Sequence, residues 1–112
     1  MLRRKTRDEL MPGTLEMLIL KTLSRGSMHG YGIAQAIQQT SEDILRIEEG
    51  SLYPALQRMQ IKGWLTSEWR MTEFNRKARF YELTDEGREQ LQAEMTKFGR
   101  LTGAIWRVLE NA

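Results

Sequence analysis

No cysteine occurs in the chain, and it holds one histidine and two prolines in 112 residues. Without cysteine there is no disulfide framework, no thiolate zinc site and no cysteine nucleophile. His29 has no second histidine or thiol with which to share a metal, so it reads as a loop or capping residue; no metal and no cofactor are expected. Gly30-Tyr31-Gly32 lacks the third glycine and the preceding strand of a dinucleotide fingerprint. No nucleophile–base pair or pocketed carboxylate pair is assembled, which argues against an enzyme. Asp85, Glu89 and Glu94 sit among Arg88, Lys97 and Arg100, the pattern of a solvated helix face. Long apolar runs are missing too. The basic opening, Met1 to Arg7, leads into no signal-peptide core, and no stretch could span a bilayer, so a cytoplasmic protein with no membrane contact is expected.

What is present is clustered charge and regular apolar spacing. The net charge is only +2. Yet Arg70, Arg76, Lys77 and Arg79 outweigh Glu73 in one short stretch, and Arg3, Arg4, Lys5 and Arg7 form a second basic group. Glu42, Asp43, Glu48 and Glu49 make the segment before Gly50 acidic. With no repeat or Pro/Gly-rich linker, the chain reads as a basic N-terminal arm over residues 1–11, one small domain over 12–83 and a helical tail over 84–112. A chain this short gains from burying more surface in an oligomer.

Apolar spacing predicts a first helix over Leu15 to Leu23, started by Pro12 and Thr14 and stopped before Gly26. A second helix carries Ile33, Ala34, Ala36 and Ile37 and ends near Thr40. The polar stretch Ser41 to Glu49 offers Ile44, Leu45 and Ile47 as anchors, and Gly50-Ser51 reads as a turn and a helix cap. A third helix then turns Leu52, Leu56 and Met59 inward, with Pro54 tolerated in its first turn and Gly63 at its end. From Trp64 the period shortens to two. Leu65, Ser67, Trp69 and Met71 share one side of a strand, Phe80 to Leu83 returns as a second, and Thr72 to Lys77 forms the charged tip of a hairpin. Thr84 caps a long last helix reaching about Glu110, where Leu91, Met95, Phe98, Thr102, Ile105 and Leu109 alternate spacings of four and three as a dimerisation seam. Leu101, Trp106 and Val108 widen it beyond what one small core can cover.

That order of elements, mainly α with a β-hairpin, is a winged helix-turn-helix followed by a long C-terminal dimerisation helix. The third helix can enter a major groove roughly 12 Å wide. Its outward residues would be Ser51, Tyr53, Pro54, Gln57 and Arg58. Tyr53 could meet phosphate or a thymine methyl, or be a half-buried packing residue; Gln57 could reach a base edge or only solvent; Arg58 and Lys62 could neutralise phosphate. Arg76, Lys77 and Arg79 at the hairpin tip suit phosphates or the minor groove, and the basic opening is either a disordered tail or a phosphate-gripping arm.

Leu15 to Leu23, His29-Gly30-Tyr31-Gly32-Ile33, Glu49-Gly50-Ser51-Leu52-Tyr53-Pro54-Ala55-Leu56, Gly63-Trp64-Leu65, Arg79-Phe80-Tyr81-Glu82-Leu83-Thr84 and Gly87 together resemble the PadR family of bacterial transcriptional regulators. The resemblance runs from about Pro12 to Leu109, and the Gly-Ser-Leu-Tyr-Pro-Ala-Leu string is its most specific part. It implies a winged-helix repressor, a homodimer through the C-terminal helix, with Tyr31, Ser51, Tyr53 and Pro54 toward double-stranded DNA. It also implies relief of repression by a small aromatic or cationic effector. With one long helix after the wing, the sequence is similar to the compact subgroup.

Met95, Phe98 and Trp106 could line a flat apolar cavity for a planar ligand between subunits, or simply pack there. Two other functions stay open at this level. One is a winged-helix module for protein association through the last helix, with DNA irrelevant. The other, a small-molecule carrier, rests on Phe98 and Trp106 alone.

Overall fold

The computed structural model describes residues 13–111. The basic arm proposed for residues 1–11, with its Arg3, Arg4, Lys5 and Arg7, and Pro12 lie outside them. In chain order the elements are α1 (Thr14–Leu23), β1 (Met28–His29), α2 (Gly30–Thr40), α3 (Glu49–Ile61), β2 (Leu65–Met71), β3 (Lys77–Leu83) and α4 (Asp85–Glu110). The three strands form one antiparallel sheet in the order β1-β3-β2. The β2–β3 hairpin runs in register from Leu65 opposite Leu83 to Met71 opposite Lys77. β1 adds Met28 opposite Tyr81 and His29 opposite Phe80; two residues are too few to show alternation, so no local pattern marks this strand.

Ile19, Leu20 and Leu23 of α1, Ile33 of α2, Leu52, Leu56 and Met59 of α3 and Leu65 of β2 form a core with almost no solvent exposure. Each such side chain contributes about 1.5–3 kcal/mol relative to exposure. Leu45 and Ile47 pack against this core from the α2–α3 connection, whereas Ile44 is exposed and anchors nothing. Glu42 and Asp43 both take positive φ, and this sharp reversal accompanies the exposure of Ile44 beside them.

The start of α3 differs from the expectation. Its N-cap is Glu48, in extended conformation, and Leu52 N–H already donates to Glu48 O at 2.9 Å, so Ser51 is a helical residue and not a cap. Glu49 in the first turn places negative charge where the helix dipole favours it. Pro54 therefore lies a turn into α3, and the Gly50 carbonyl loses its helical donor on an exposed surface. The far end closes as a Schellman motif: Gly63 at φ +85° donates to Gln60 O and Trp64 N–H to Met59 O, both at 3.0 Å.

Other caps follow the sequence. His29 caps α2, its Nδ1 accepting from Gly32 N–H at 3.0 Å. Thr84 caps α4, its hydroxyl accepting from Gly87 N–H at 3.0 Å and donating to Gly63 O at 2.7 Å. The first turns of α4 belong to the core. Leu91 is buried there, so it is not available to the seam assigned to it; one more turn of α4 is held down by the core than the heptad spacing alone could show. A side chain at Gly87 would place its Cβ 2.2 Å from the Trp64 carbonyl oxygen, so only glycine lets α4 approach the wing base this closely. Beyond Leu91 the helix runs free, and Met95, Phe98, Leu101, Ile105, Trp106, Val108 and Leu109 are exposed along it.

Candidate nucleic-acid interface

Packing Leu52, Ala55, Leu56 and Met59 inward leaves Ser51, Tyr53, Pro54 and Gln57 on the exposed side of α3. Tyr53 is 43% exposed, but it is not loose. Its ring lies over Gly30 so closely that a Cβ there would sit 2.7 Å from the ring, which explains glycine at the first position of α2. The packing expected of this tyrosine is thus present, and the ring keeps an exposed part. Tyr31, 63% exposed, stacks on His29 with centroids 6.5 Å apart, and His29 meets Phe80 edge-on at 5.2 Å.

The wing continues this surface. Trp69 and Met71 fall on the strand side predicted for them but are exposed, because the hairpin outruns the core that covers Leu65. Thr72 shapes the tip, its hydroxyl accepting from the Phe74 and Arg76 amides at 3.2 Å, with Asn75 at φ +60°. A cleft of about 430 Å³ opens between the start of α2, Tyr53 of α3 and the wing, lined by His29, Tyr31, Tyr53, Trp69, Lys77 and Arg79, with Tyr81 at its base. No carboxylate is among its lining residues. Burial raises the Tyr53 phenol above its ordinary value, with the nearby Glu49 carboxylate adding to the effect. Burial likewise raises Tyr81, against the lowering influence of Arg79. Both phenols are therefore neutral donors at neutral pH.

Of the residues singled out in the sequence, the structure brings Tyr31, Tyr53, Lys77 and Arg79 together at the cleft. Arg76 stands apart at the exposed tip. Arg58 and Lys62 turn toward α1, where Glu16 takes Arg58 Nε at 3.2 Å and Lys62 Nζ at 4.0 Å, and Lys62 also lies 4.6 Å over the Trp64 ring. Their charge is partly satisfied within the chain. Met95, Phe98 and Trp106 line no part of the cleft. Trp69, expected only as a strand residue, was missed as a site residue; pairing the strands around the tip would have set it opposite Arg79.

A model of the PadR-like transcriptional regulator family matches residues 19–93. The chain belongs to the PadR-like family. PadR-like proteins are DNA-binding transcriptional regulators and not enzymes, and the four helices with a small antiparallel sheet match their winged-helix structures. A solved PadR family regulator from Eggerthella lenta is 30% identical and superimposes with a TM-score of 0.76, covering 89% of this chain and 85% of that one. A transcriptional regulator from Clostridium thermocellum is 25% identical with a TM-score of 0.76, over 83% and 90%. An uncharacterised 37.1 kDa protein of transposon TN4556 from Streptomyces fradiae is 40% identical over 97 residues, 87% of this chain and 26% of that protein. The chain thus spans about a quarter of the length of this relative. Among the described residues no helix is long and apolar enough to cross a membrane.

Proposed function

We propose that this PadR-like regulator is a dimeric repressor that binds a pseudo-palindromic operator. The outward residues of α3 would meet base edges, the wing would meet the flanking backbone, and α4 would join the two subunits. The observation that carries this reading is the convergence of Tyr53, on the exposed side of α3, with Tyr31 and the wing residues Lys77 and Arg79 on one cleft that has no carboxylate among its lining residues. Ser51, Pro54 and Gln57 are exposed on α3 with Tyr53, and Tyr53 shares the cleft with Tyr31, Lys77 and Arg79, an arrangement that suits a reading helix and a phosphate-contacting wing.

The dimer is supported by the exposed stripe of α4. Met95, Phe98, Ile105 and Leu109, with half-buried Thr102, keep the alternating spacing of a two-helix seam after Leu91 is withdrawn to the core. Two such subunits would present their recognition helices to major grooves roughly 34–36 Å apart. Relief by an effector at Met95, Phe98 and Trp106 requires the cavity that two joined α4 helices would enclose.

The experiment is fluorescence anisotropy of a labelled fragment from directly upstream of the gene, against a random duplex, across a salt series. Preferential, salt-steep binding is expected. Binding to neither duplex at low salt would overturn the reading and direct attention to a protein partner on α4.

A further inference from the structure

The two wing arginines nearest the sheet are held in opposite ways. Arg70 is satisfied inside the chain: its Nε donates to Glu68, its Nη1 donates to Ser27 Oγ at 3.0 Å, and its guanidinium lies 5.1 Å from the Phe80 ring. Arg79, on the other face of the hairpin, has no carboxylate partner among the described residues. Its Nε donates to Ser67 Oγ at 2.8 Å, and Ser67 Oγ donates in turn to Gln60 Oε1 of α3 at 3.1 Å. The guanidinium lies 5.6 Å from the Trp69 ring, the residue opposite it across the hairpin. The relay therefore ties this arginine to α3 as well as to the wing, through Nε and not through the terminal nitrogens, and Arg79 lines the cleft.

We propose that the cleft seats one backbone phosphodiester of duplex DNA, bound by the Arg79 fork, with Ser67 and Trp69 as the residues that position it. This rests on the DNA reading above and assigns a ligand group to one place in it. The two non-bridging oxygens of a phosphodiester match the paired N–H donors of a guanidinium, and a planar fork already held by Ser67 and by the Trp69 ring loses little freedom on binding. A lining without carboxylates offers no competitor for that anion, and the neutral phenol of Tyr53, which lines the same cleft, adds a donor. The aromatic walls suit the apolar face of the attached deoxyribose.

The test uses the full chain and a fluorescein-labelled random-sequence duplex in a potassium chloride series. Arg79→Lys keeps the charge and loses the fork, so affinity at fixed salt should fall about tenfold with little change of slope. Arg79→Gln should also flatten the slope by about 0.9. Ser67→Ala should weaken binding several-fold in the wild-type background and add nothing in the Arg79→Lys background, because Ser67 acts through the fork. Trp69→Leu, which keeps apolar bulk without the ring face, is a second positioning variant and should behave like Ser67→Ala. Wild-type affinity for Arg79→Lys, or additive losses in the double variant, would overturn the subsite while leaving DNA binding intact. A wild-type chain that binds no duplex would overturn the DNA reading and this subsite together.

Discussion

Tyr53 and Ile105 are exposed to similar degrees, 43% and 51%, yet they belong to different kinds of surface. Tyr53 rests on Gly30, Arg79 is tied to Ser67 and stacked on Trp69, and His29 is both cap and stacking partner for Tyr31. Ile105 belongs to a run of aliphatic and aromatic side chains on the free length of α4. A surface that meets a polyanion needs charges and rings held in place beforehand, since direction decides the strength of their contacts. A surface that meets a second apolar surface needs chiefly area.

The comparison can be broken most forcefully on α4. Ile105→Glu would bury a charge in the seam, so light scattering should show the mass halved and operator affinity should fall about a hundredfold as the two half-sites uncouple. The fold should survive, because the buried residues of α4, Gly87 and Leu91, lie in its first turns. An unchanged mass would move the interface off this stripe.

Neutralising Arg76, Lys77 and Arg79 together should leave the mass alone and flatten the salt slope by about 2.7, three phosphates at about 0.9 each. Full biological activity in that variant would instead favour a protein-association module working through α4. A smaller effect, about tenfold on the operator, is expected for Tyr53→Ala, with a weaker loss on random duplex; Lys77→Ala should weaken both about equally. Equal losses in the two variants would remove the base-reading role from Tyr53. Arg58→Gln should change the salt slope less than Lys77→Gln, because Glu16 already holds Arg58.

The smallest effect concerns pH. The Tyr53 phenol is raised by burial and then by Glu49, so the folded chain holds this proton more tightly than the unfolded one. Its contribution to stability is complete below about pH 10 and is lost as pH rises through the folded-state value. Urea denaturation of Tyr53→Phe should show a shallower decline above pH 10 than the wild type.

The helices, the hairpin and the caps at His29 and Thr84 were legible because each leaves a local signature: a 3.6-residue period, a two-residue period, or a side chain that closes a helix end. What was not legible depends on contacts distant in sequence. The β1 strand exists only through β3, Leu91 is withdrawn from the seam by the core, and Arg58 is drawn toward Glu16 of α1. The site was half visible. Tyr53, Lys77 and Arg79 stood out as exposed residue types on predicted elements and Tyr31 came from the family resemblance, whereas Trp69 and Ser67 matter through the hairpin register and the Gln60 relay.

Gly87 carries a mechanical consequence. With no side chain between them, α4 packs directly on the wing base, so in the proposed dimer α4 would act as a lever whose fulcrum is the subunit contact. A rod of 26 residues is roughly 39 Å long, and tilting it by about 5° at one end moves the other by roughly 3.4 Å. That displacement equals about one base-pair step. In the proposed dimer, small changes in how two α4 helices cross would therefore change the spacing of operator half-sites that the pair can span.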